Sequence, residues 1–352
     1  MRVMYFGSYN QNYSRNRILI EGLRFNGVEV VEIHDRSSFL LKYLKLFFKH
    51  WPYRRRYDFL IVGFPGFTVM PLAKLIATAP IIFDAFLSLY DSNVFDRKIC
   101  SPKSLRAKYY YFLDRWSCQL ADLILLDTKE HIKYFVEVFR TDRQKFRRIF
   151  IGAQDEIFLP QPALPAKDNL SVLFWGWMIP LQGVEFILQA AKILEQEPIE
   201  FLLIGGGVER DKMLKLAGEL GLAKVKFLPG LKQEQLPAYI AQAGICLGIF
   251  GQTSKARRVI PNKVYEALAS QKAVITARTE ASREVLVDGE HCLFCRPADP
   301  QDLAEKIKIL KSNPDLRQRL ARQGYKLYLQ KFTPRNLGFE FLTILQNYAK
   351  EK

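Results

Sequence analysis

The sequence has 352 residues, which is too long for one ordinary hydrophobic core and therefore predicts two domains. Hydrophobic residues make up 49% and charged residues 25% of the chain, a composition that excludes a disordered or low-complexity protein. The formal net charge of +16 indicates an acidic partner such as nucleotide phosphate, anionic lipid or nucleic acid.

Residues 1–150 alternate between strand and helix patterns, which predicts a parallel, doubly wound sheet. The apolar run Phe59–Phe83 comes closest to a membrane span, but Pro65, Pro71 and Pro80 divide it into strand, turn, short helix and strand. The predicted strands are Val3–Phe6, Val28–Ile33, Phe59–Val62, Ile81–Phe83, Leu123–Leu126 and Arg148–Ile151, and a helix is predicted around Arg15–Phe25.

The segment Ser38–Trp51 has the pattern of a basic amphipathic helix. Such a helix can lie on an anionic bilayer, and the alternative is a core-packed helix with a solvated face. The arginines that follow it favour the membrane surface. The apolar side carries Leu40, Leu44, Phe47, Phe48 and Trp51, the basic side carries Lys42, Lys45 and Lys49, and Arg54, Arg55 and Arg56 follow.

Five cysteines are too few, and odd in number, for a secreted disulfide scaffold, so we expect a reducing cytoplasm. No signal peptide pattern precedes the first strand. Cys292 and Cys295 follow His291 in a CxxC arrangement, but no second cysteine pair accompanies them and the other histidines lack zinc-motif spacing. The sequence therefore predicts no metal site.

The proline-rich segment Leu159–Asn169 is the predicted linker. We place the first domain at 1–163, the second at 164–333 and a final helix at 334–352 that returns to the first domain. The second half predicts strands at Ser171–Trp175, Ile199–Ile204, Lys224–Phe227, Gly244–Gly248 and Ala273–Thr276, with helices at Val184–Glu195, Glu209–Leu220, Gln233–Ala243, Asp299–Leu310, Pro314–Lys331 and Pro334–Ala349.

The stretch Lys255–Ile275 predicts a cationic loop, a helix opened by Pro261 and a buried strand from Ala273. Asn262 and Glu266, one turn apart, lie off the apolar face of this helix. A helix N-terminus disfavours cations, so the basic side chains there indicate a bound anion; a solvated basic loop is the alternative. The cations are Lys255, Arg257, Arg258 and Lys263.

The glycine turn Gly205-Gly206-Gly207 follows a strand and precedes a helix, as a nucleotide-binding turn does. Arg210 replaces the third glycine of the dinucleotide fingerprint and no acid ends the next strand, so a nicotinamide enzyme is disfavoured. A plain strand-to-helix turn is the alternative.

Asp84 and Asp91 come directly after a strand end, where open α/β sheets bind ligands. They are candidates for binding an acceptor hydroxyl or acting as a base. Loop caps or surface acids are an equal alternative for each residue.

The second half resembles the donor domain of glycosyltransferase family 4, retaining enzymes with the GT-B fold. The similarity extends more loosely over the whole chain through ADLILLDTKEHIKYF and IGAQDEIFLP. Its most specific parts are SVLFWGWMIPLQGVEFILQAAKIL, FLLIGGGVERDKML and IPNKVYEALASQKAVITARTEASREVLVDGEHCLF.

The resemblance implies a role for individual residues. Glu266 matches the family's ribose-binding glutamate, whereas Arg258 stands where the family has its first acid. Trp177 and Gln182 occupy the positions of the usual pyrophosphate-binding cations, which Lys255, Arg257, Arg258 and Lys263 would replace. Phe86 aligns with a frequent histidine, leaving Asp84 or Asp91 as substitutes. Gly205, Gly206, Gly251, Asn262 and Glu284 would complete the donor site, and Gly7 and Ser8 the N-domain loop.

The resemblance predicts two Rossmann-like domains facing across a cleft and a retaining, metal-independent hexosyltransferase that needs no cofactor. The predicted partners are a nucleotide-sugar donor, a glycan or lipid-linked acceptor and an anionic membrane at the inner face of the cell membrane. The alternatives are a nucleotide-sugar epimerase of the same fold and a basic nucleic-acid-binding protein, for which the sequence lacks a recognition-helix or stacking motif.

Overall fold

The computed structural model describes residues 1–38, 40–162 and 169–351 and divides the chain into two compact units. Unit 1 comprises Met1–Gly152 and Phe332–Lys352, and unit 2 comprises Ala153–Lys331. The predicted boundary at 163/164 and most of the predicted linker fall within 163–168, outside the described residues. Each unit contains one six-stranded parallel sheet, so the predicted fold class is confirmed.

The sheet of unit 1 has the strand order β2-β1-β3-β4-β5-β6. The predicted strands are all present, but the last was placed too late in the chain: Phe146–Arg148 pairs with β5, while Ile149–Ile151 follow as a buried loop. The strands are β1 (Arg2–Gly7), β2 (Glu29–His34), β3 (Phe59–Val62), β4 (Ile81–Phe86), β5 (Leu123–Leu126) and β6 (Phe146–Arg148).

The described residues of unit 1 include six α-helices. The first and the last of these helices contact each other where Gly22 meets Gly338. The close approach is possible because glycine has no Cβ, which at either position would collide with the facing backbone. The helices are α1 (Ser14–Phe25), α2 (Leu41–His50), α3 (Met70–Ile76), α4 (Leu105–Leu120), α5 (Lys129–Phe139) and α12 (Pro334–Glu351).

The sheet of unit 2 has the order β12-β11-β10-β7-β8-β9, so its first strand, β7, lies at the centre beside β10. The strands are β7 (Leu170–Trp175), β8 (Ile199–Ile204), β9 (Val225–Leu228), β10 (Ile245–Leu247), β11 (Ala273–Ala277) and β12 (Leu293–Cys295). The helices are α6 (Val184–Ile193), α7 (Arg210–Glu219), α8 (Leu236–Gln242), α9 (Asn262–Ala269), α10 (Pro300–Ser312) and α11 (Pro314–Lys331).

None of the described helices is long and apolar enough to cross a bilayer. Cys292 and Cys295 are buried free thiols at β12, and burial raises the pKa of both. Within the described residues, no group of three or more His, Cys, Asp and Glu side chains is placed to hold a metal ion.

Candidate functional site

The sheet of unit 2 changes winding direction between β7 and β10, and ligands of open α/β sheets bind outside the strand ends at such a point. Helix α9 begins here. The sequence predicted Pro261 at the first helical position, but Pro261 is the N-cap and the helix begins one residue later, at the half-buried Asn262. Lys263 and Glu266 are buried on the same helix, with 4% and 6% of their surface exposed.

Glu266 faces the end of β7. The indole Nε1 of Trp175 donates a hydrogen bond of 2.6 Å to its Oε2. Burial raises the pKa of Glu266 to about 7, and the Trp175 hydrogen bond and the charge of Lys263 oppose that shift. A carboxylate at this position can accept hydrogen bonds from a diol such as ribose.

Lys263 lies three residues before Glu266 and reaches the loop that follows β7. Its Nζ donates to Oε1 of Gln182 and sits 3.5 Å from the ring centroid of Phe174, a cation–π contact. Burial lowers the pKa of Lys263 well below its ordinary value, and Glu266 opposes the shift. By the resemblance, Gln182 occupies the position of a pyrophosphate-binding cation. In the structure it is hydrogen-bonded to a lysine from α9.

Three glycine-rich loops meet beside this pair. Gly205 and Gly207 have positive φ values, and a Cβ on either would collide with the backbone of Gly176 or Met178. A Cβ on Gly251 would collide with the carbonyl of Pro180. These glycines allow the loops to pack closely, whereas a Cβ on Gly206 would meet open space.

The predicted basic residues lie in different environments. Arg257 is exposed and forms a bidentate ion pair with Glu280. Arg258 is half-buried and donates to Oγ of Ser254. Lys255 is buried, with 5% exposure, and Glu284 is half-buried in a short 3-10 turn whose Ala281 N–H donates to the carbonyl of Arg257. Lys263 contacts the loop after β7 through its hydrogen bond to Gln182.

Unit 1 has its own change of winding direction, between β1 and β3, where buried Gly7 ends β1 with φ 141° and half-buried Ser8 follows. The predicted acids lie farther along the sheet. Asp84 lies within β4, which extends to Phe86, and not after the strand end as the sequence predicted. It is fully buried and receives hydrogen bonds from the guanidinium of Arg15 on both oxygens, the shortest 2.9 Å.

Asp91 is also fully buried, in a π-helical turn over Asp91–Asp96, and its N–H donates to Oγ of Ser88. Asp114, from α4, accepts hydrogen bonds from that hydroxyl and from the N–H groups of Leu89 and Tyr90, and burial raises its pKa to about 7. The Asp114 carboxylate therefore fixes the backbone of this loop from α4.

A second polar pair at this edge escaped the sequence analysis. Nδ1 of His131 lies 2.7 Å from a carboxylate oxygen of Asp127, which follows β5, and Nε2 of the same ring has no hydrogen-bond partner among the described residues. Phe86, which ends β4, adopts a left-handed conformation with φ 58° at an irregularity in the β4–β5 pairing. Strained backbone and an unpaired buried imidazole are typical of functional edges.

Two features were missed because they join residues far apart in sequence. Arg15 lies 69 positions from Asp84, and Trp175 lies 91 positions from Glu266. The spacing Asp127-Thr128-Lys129-Glu130-His131 was visible, since residues four apart share a helix face, and Thr128 caps α5 through a bond from the His131 N–H.

Comparison with known proteins agrees with this geometry. Residues 155–327 match the family model described as "Glycosyl transferases group 1". This segment is therefore a group 1 glycosyltransferase domain, and the fold of the chain is GT-B.

Two relatives and two solved structures show the range of similarity. A D-inositol 3-phosphate glycosyltransferase from Nocardioides sp. is 27% identical over 228 residues, covering 58% of this chain and 49% of the relative. The lipopolysaccharide core biosynthesis glycosyltransferase LpsE of Rhizobium meliloti is 26% identical over 196 residues, covering 55% of this chain and 54% of the relative. The chain thus spans about half the length of the curated relatives it matches.

The solved structures match along the whole chain. HepE from Anabaena, in complex with UDP, superposes with a TM-score of 0.75 at 16% identity and covers 99% of this chain and 100% of its own. Sucrose-phosphate synthase from Thermosynechococcus elongatus gives a TM-score of 0.78 at 16% identity with full coverage of both chains. At this identity the two structures support the fold.

Proposed function

We propose that the protein is a retaining glycosyltransferase that transfers a hexose from a nucleotide-sugar to a lipid-linked or polysaccharide acceptor. The observation that carries the proposal is the buried Lys263–Glu266 pair at the winding change of unit 2, held by Gln182 and Trp175. A solved structure of the same fold, HepE, is described in complex with UDP-glucose, which supports a nucleotide-sugar as donor.

Each residue of the pair has a role in this reaction. The Glu266 carboxylate accepts hydrogen bonds from the ribose hydroxyls. The Lys263 ammonium and the N–H groups of the first turn of α9 stabilise the negative charge that develops on the departing diphosphate. Fixed positive charge of this kind does the work that a divalent cation does elsewhere, so we propose neither a metal nor a cofactor.

Retention of configuration requires the acceptor to attack from the side of the leaving group. We propose that the acceptor hydroxyl gives its proton to the departing phosphate oxygen, while the new glycosidic bond forms as the bond to phosphate breaks. We place the enzyme in the cytoplasm, at the inner face of the membrane, where a lipid-linked acceptor and an anionic surface occur together.

The test is thermal stabilisation by nucleotide-sugars, because a ligand that binds only the folded protein raises its melting temperature. We expect one donor to stabilise the wild type and to lose that effect in Glu266→Gln. Glu219→Gln, on the exposed surface of α7, is the matched control and should respond as the wild type does. A wild-type response in Glu266→Gln would refute the site.

The reaction itself is tested with the donor identified in that screen. Incubation with an acceptor should give a product whose anomeric configuration, measured by NMR, equals that of the donor. An inverted product would refute the mechanism, and a new sugar isomer formed from the donor alone would identify an epimerase.

A further inference from the structure

Helix α4 has an apolar stripe on the side that faces solvent. The stripe contains Leu105, Tyr109, Phe112 and Trp116, whose spacings of four, three and four residues put them on one face. Leu105 is 83% exposed and Tyr109 and Phe112 are each 52% exposed, while the ring of Trp116 packs on Phe112. The buried residues of the helix lie on its other side and are Ala107, Leu113, Asp114, Ser117 and Cys118. The stripe therefore contributes nothing to the core.

Helix α2 repeats this arrangement. Its buried side chains are Leu46 and His50, and the other side exposes large apolar groups that continue into the following 3-10 turn. The exposed groups are Leu40 at 72%, Leu41 at 45%, Leu44 at 58%, Phe48 at 68%, Trp51 at 53% and Tyr53 at 40%.

These two helices lie on the same side of the sheet. Leu46 of α2, Met70 of α3 and Cys118 of α4 belong to one core cluster with side chains of β3, β4 and β5. Helix α3 packs against both α2 and α4, and it adds Leu75, which is 80% exposed. We call the solvent side of α2, α3 and α4, with the turn to Arg56, the α2–α4 face.

The α2–α4 face is strongly basic. Segments 40–56, 70–76 and 105–116, which form this face, contain ten lysines and arginines and one acid, Asp114, which is fully buried. One of these cations, Lys49, pairs with Asp35, and the guanidinium of Arg54 stacks 3.8 Å from the Trp51 ring centroid. These segments carry a formal net charge of +9, against +16 for the whole chain.

Exposed aromatic and aliphatic side chains ringed by cations are the chemistry of an interfacial membrane surface. A second copy of the same face is a poor partner, because a two-fold contact would oppose like charges. We propose that the α2–α4 face docks on an anionic lipid bilayer, with both apolar stripes entering the headgroup region. This goes beyond the proposed reaction, and the binding itself needs no nucleotide-sugar.

The first experiment measures sedimentation of the full chain with vesicles. We expect binding to phosphatidylcholine vesicles that contain phosphatidylglycerol, little binding to phosphatidylcholine alone, and weakening by salt. Tyr109→Ser/Phe112→Ser on α4 and Leu44→Ser/Phe48→Ser on α2 should each reduce partitioning about tenfold or more, since one buried aromatic contributes about 1.5–3 kcal/mol. Phe339→Ser, an exposed aromatic on α12 with 64% exposure, should not.

A second measurement reports whether the tryptophans of the α2–α4 face enter the bilayer. In a Trp177→Phe background, brominated lipid should quench Trp51 and Trp116 but leave Trp175, which is 3% exposed. Because the stripes face away from the core, the serine variants of α2 and α4 should keep the wild-type circular dichroism spectrum and the wild-type response of unit 2 to nucleotide-sugars.

Three results would overturn the proposal. The first is wild-type protein that ignores anionic vesicles. The second is that the α2 variant loses binding while the α4 variant binds as the wild type does, which would restrict the contact to one helix. The third is a dimer in light scattering that the α4 variant dissociates, which would assign the face to a second copy. None of these results bears on the nucleotide-sugar site of unit 2.

Discussion

The two sheets bury charge at their carboxyl edges in different ways. In unit 1, Arg15 donates to both oxygens of Asp84 and to the carbonyls of Ile149 and Phe150, so the pair is closed on itself. In unit 2, Glu266 and Lys263 sit on one helix, and each bonds to a neutral side chain, Trp175 and Gln182. A closed pair stabilises a fold, whereas charges held by neutral partners remain available to a ligand.

The pKa directions of the two cations express the same difference. The guanidinium of Arg15 has its pKa raised despite its burial, because Asp84 is bonded to it. The ammonium of Lys263 has its pKa lowered by burial, which the charge of Glu266 only partly opposes. An anion such as diphosphate beside Lys263 would offset the free-energy cost of burying its charge. At the Arg15–Asp84 pair, Asp84 already supplies that negative charge.

The largest expected effect comes from breaking the closed pair. Arg15→Met should destabilise the protein by about 3–5 kcal/mol, because it leaves the Asp84 carboxylate buried without a partner. Arg15→Met/Asp84→Leu should recover part of this loss in urea denaturation. If Asp84→Asn abolished transfer without lowering stability, the predicted catalytic role of Asp84 would stand and the comparison would fail.

The next effect is on turnover. Lys263→Met keeps a similar volume over the Phe174 ring but removes the charge, so the rate of transfer should fall about 100-fold or more. The melting temperature of the free protein should not fall, because the substitution also removes the desolvation cost of burying the ammonium group. Lys212→Met, on the exposed surface of α7, is the control. Unchanged turnover in Lys263→Met would remove the central cation from the mechanism.

The pH dependence of donor binding should follow Glu266. With a pKa of about 7, its carboxylate form is depleted in acid, so donor affinity should fall about fiftyfold between pH 7 and pH 5. In Glu266→Gln, the donor affinity measured by calorimetry should vary much less with pH.

Stability should move the opposite way with pH. The folded protein holds the Glu266 proton above its ordinary pKa of 4.5, so the Glu266 contribution to stability is lost as the pH rises from 4.5 through about 7. The melting temperature of the free wild type, relative to Glu266→Gln, should therefore decline over this range. A flat difference would show that Glu266 titrates normally.

The smallest effect concerns Arg257. Its ion pair with Glu280 is exposed, so Arg257→Ala should change stability by less than about 1 kcal/mol. Donor affinity should change less than about threefold, equivalent to under 1 kcal/mol. A larger loss of affinity would show that Arg257 leaves Glu280 for the diphosphate, as the sequence predicted.

Periodicity was sufficient for most of the fold. Strands such as Phe59–Val62 and Ile199–Ile204 were placed to the residue, because short apolar runs between turn residues have few other interpretations. The last strand of the first sheet was placed two to three residues late, since the whole run Phe146–Ile151 is apolar or basic and only pairing with β5 selects Phe146–Arg148.

The site was predicted in outline and not in its contacts. The cations before α9 and Glu266 within it were visible as a local pattern. Three contacts could not be predicted from the sequence because each joins separate elements. They are the Lys263–Gln182 hydrogen bond and the Arg257–Glu280 and Arg15–Asp84 ion pairs.

The sequence by itself determined two parallel α/β units, a basic chain and a charged helix start with Glu266 one turn inside it. Tertiary structure alone decided which charges are closed into pairs and which are held by neutral partners. It also decided that the apolar stripe of α4 faces solvent, since a helix with apolar residues on two sides has no orientation until the sheet beneath it is in place.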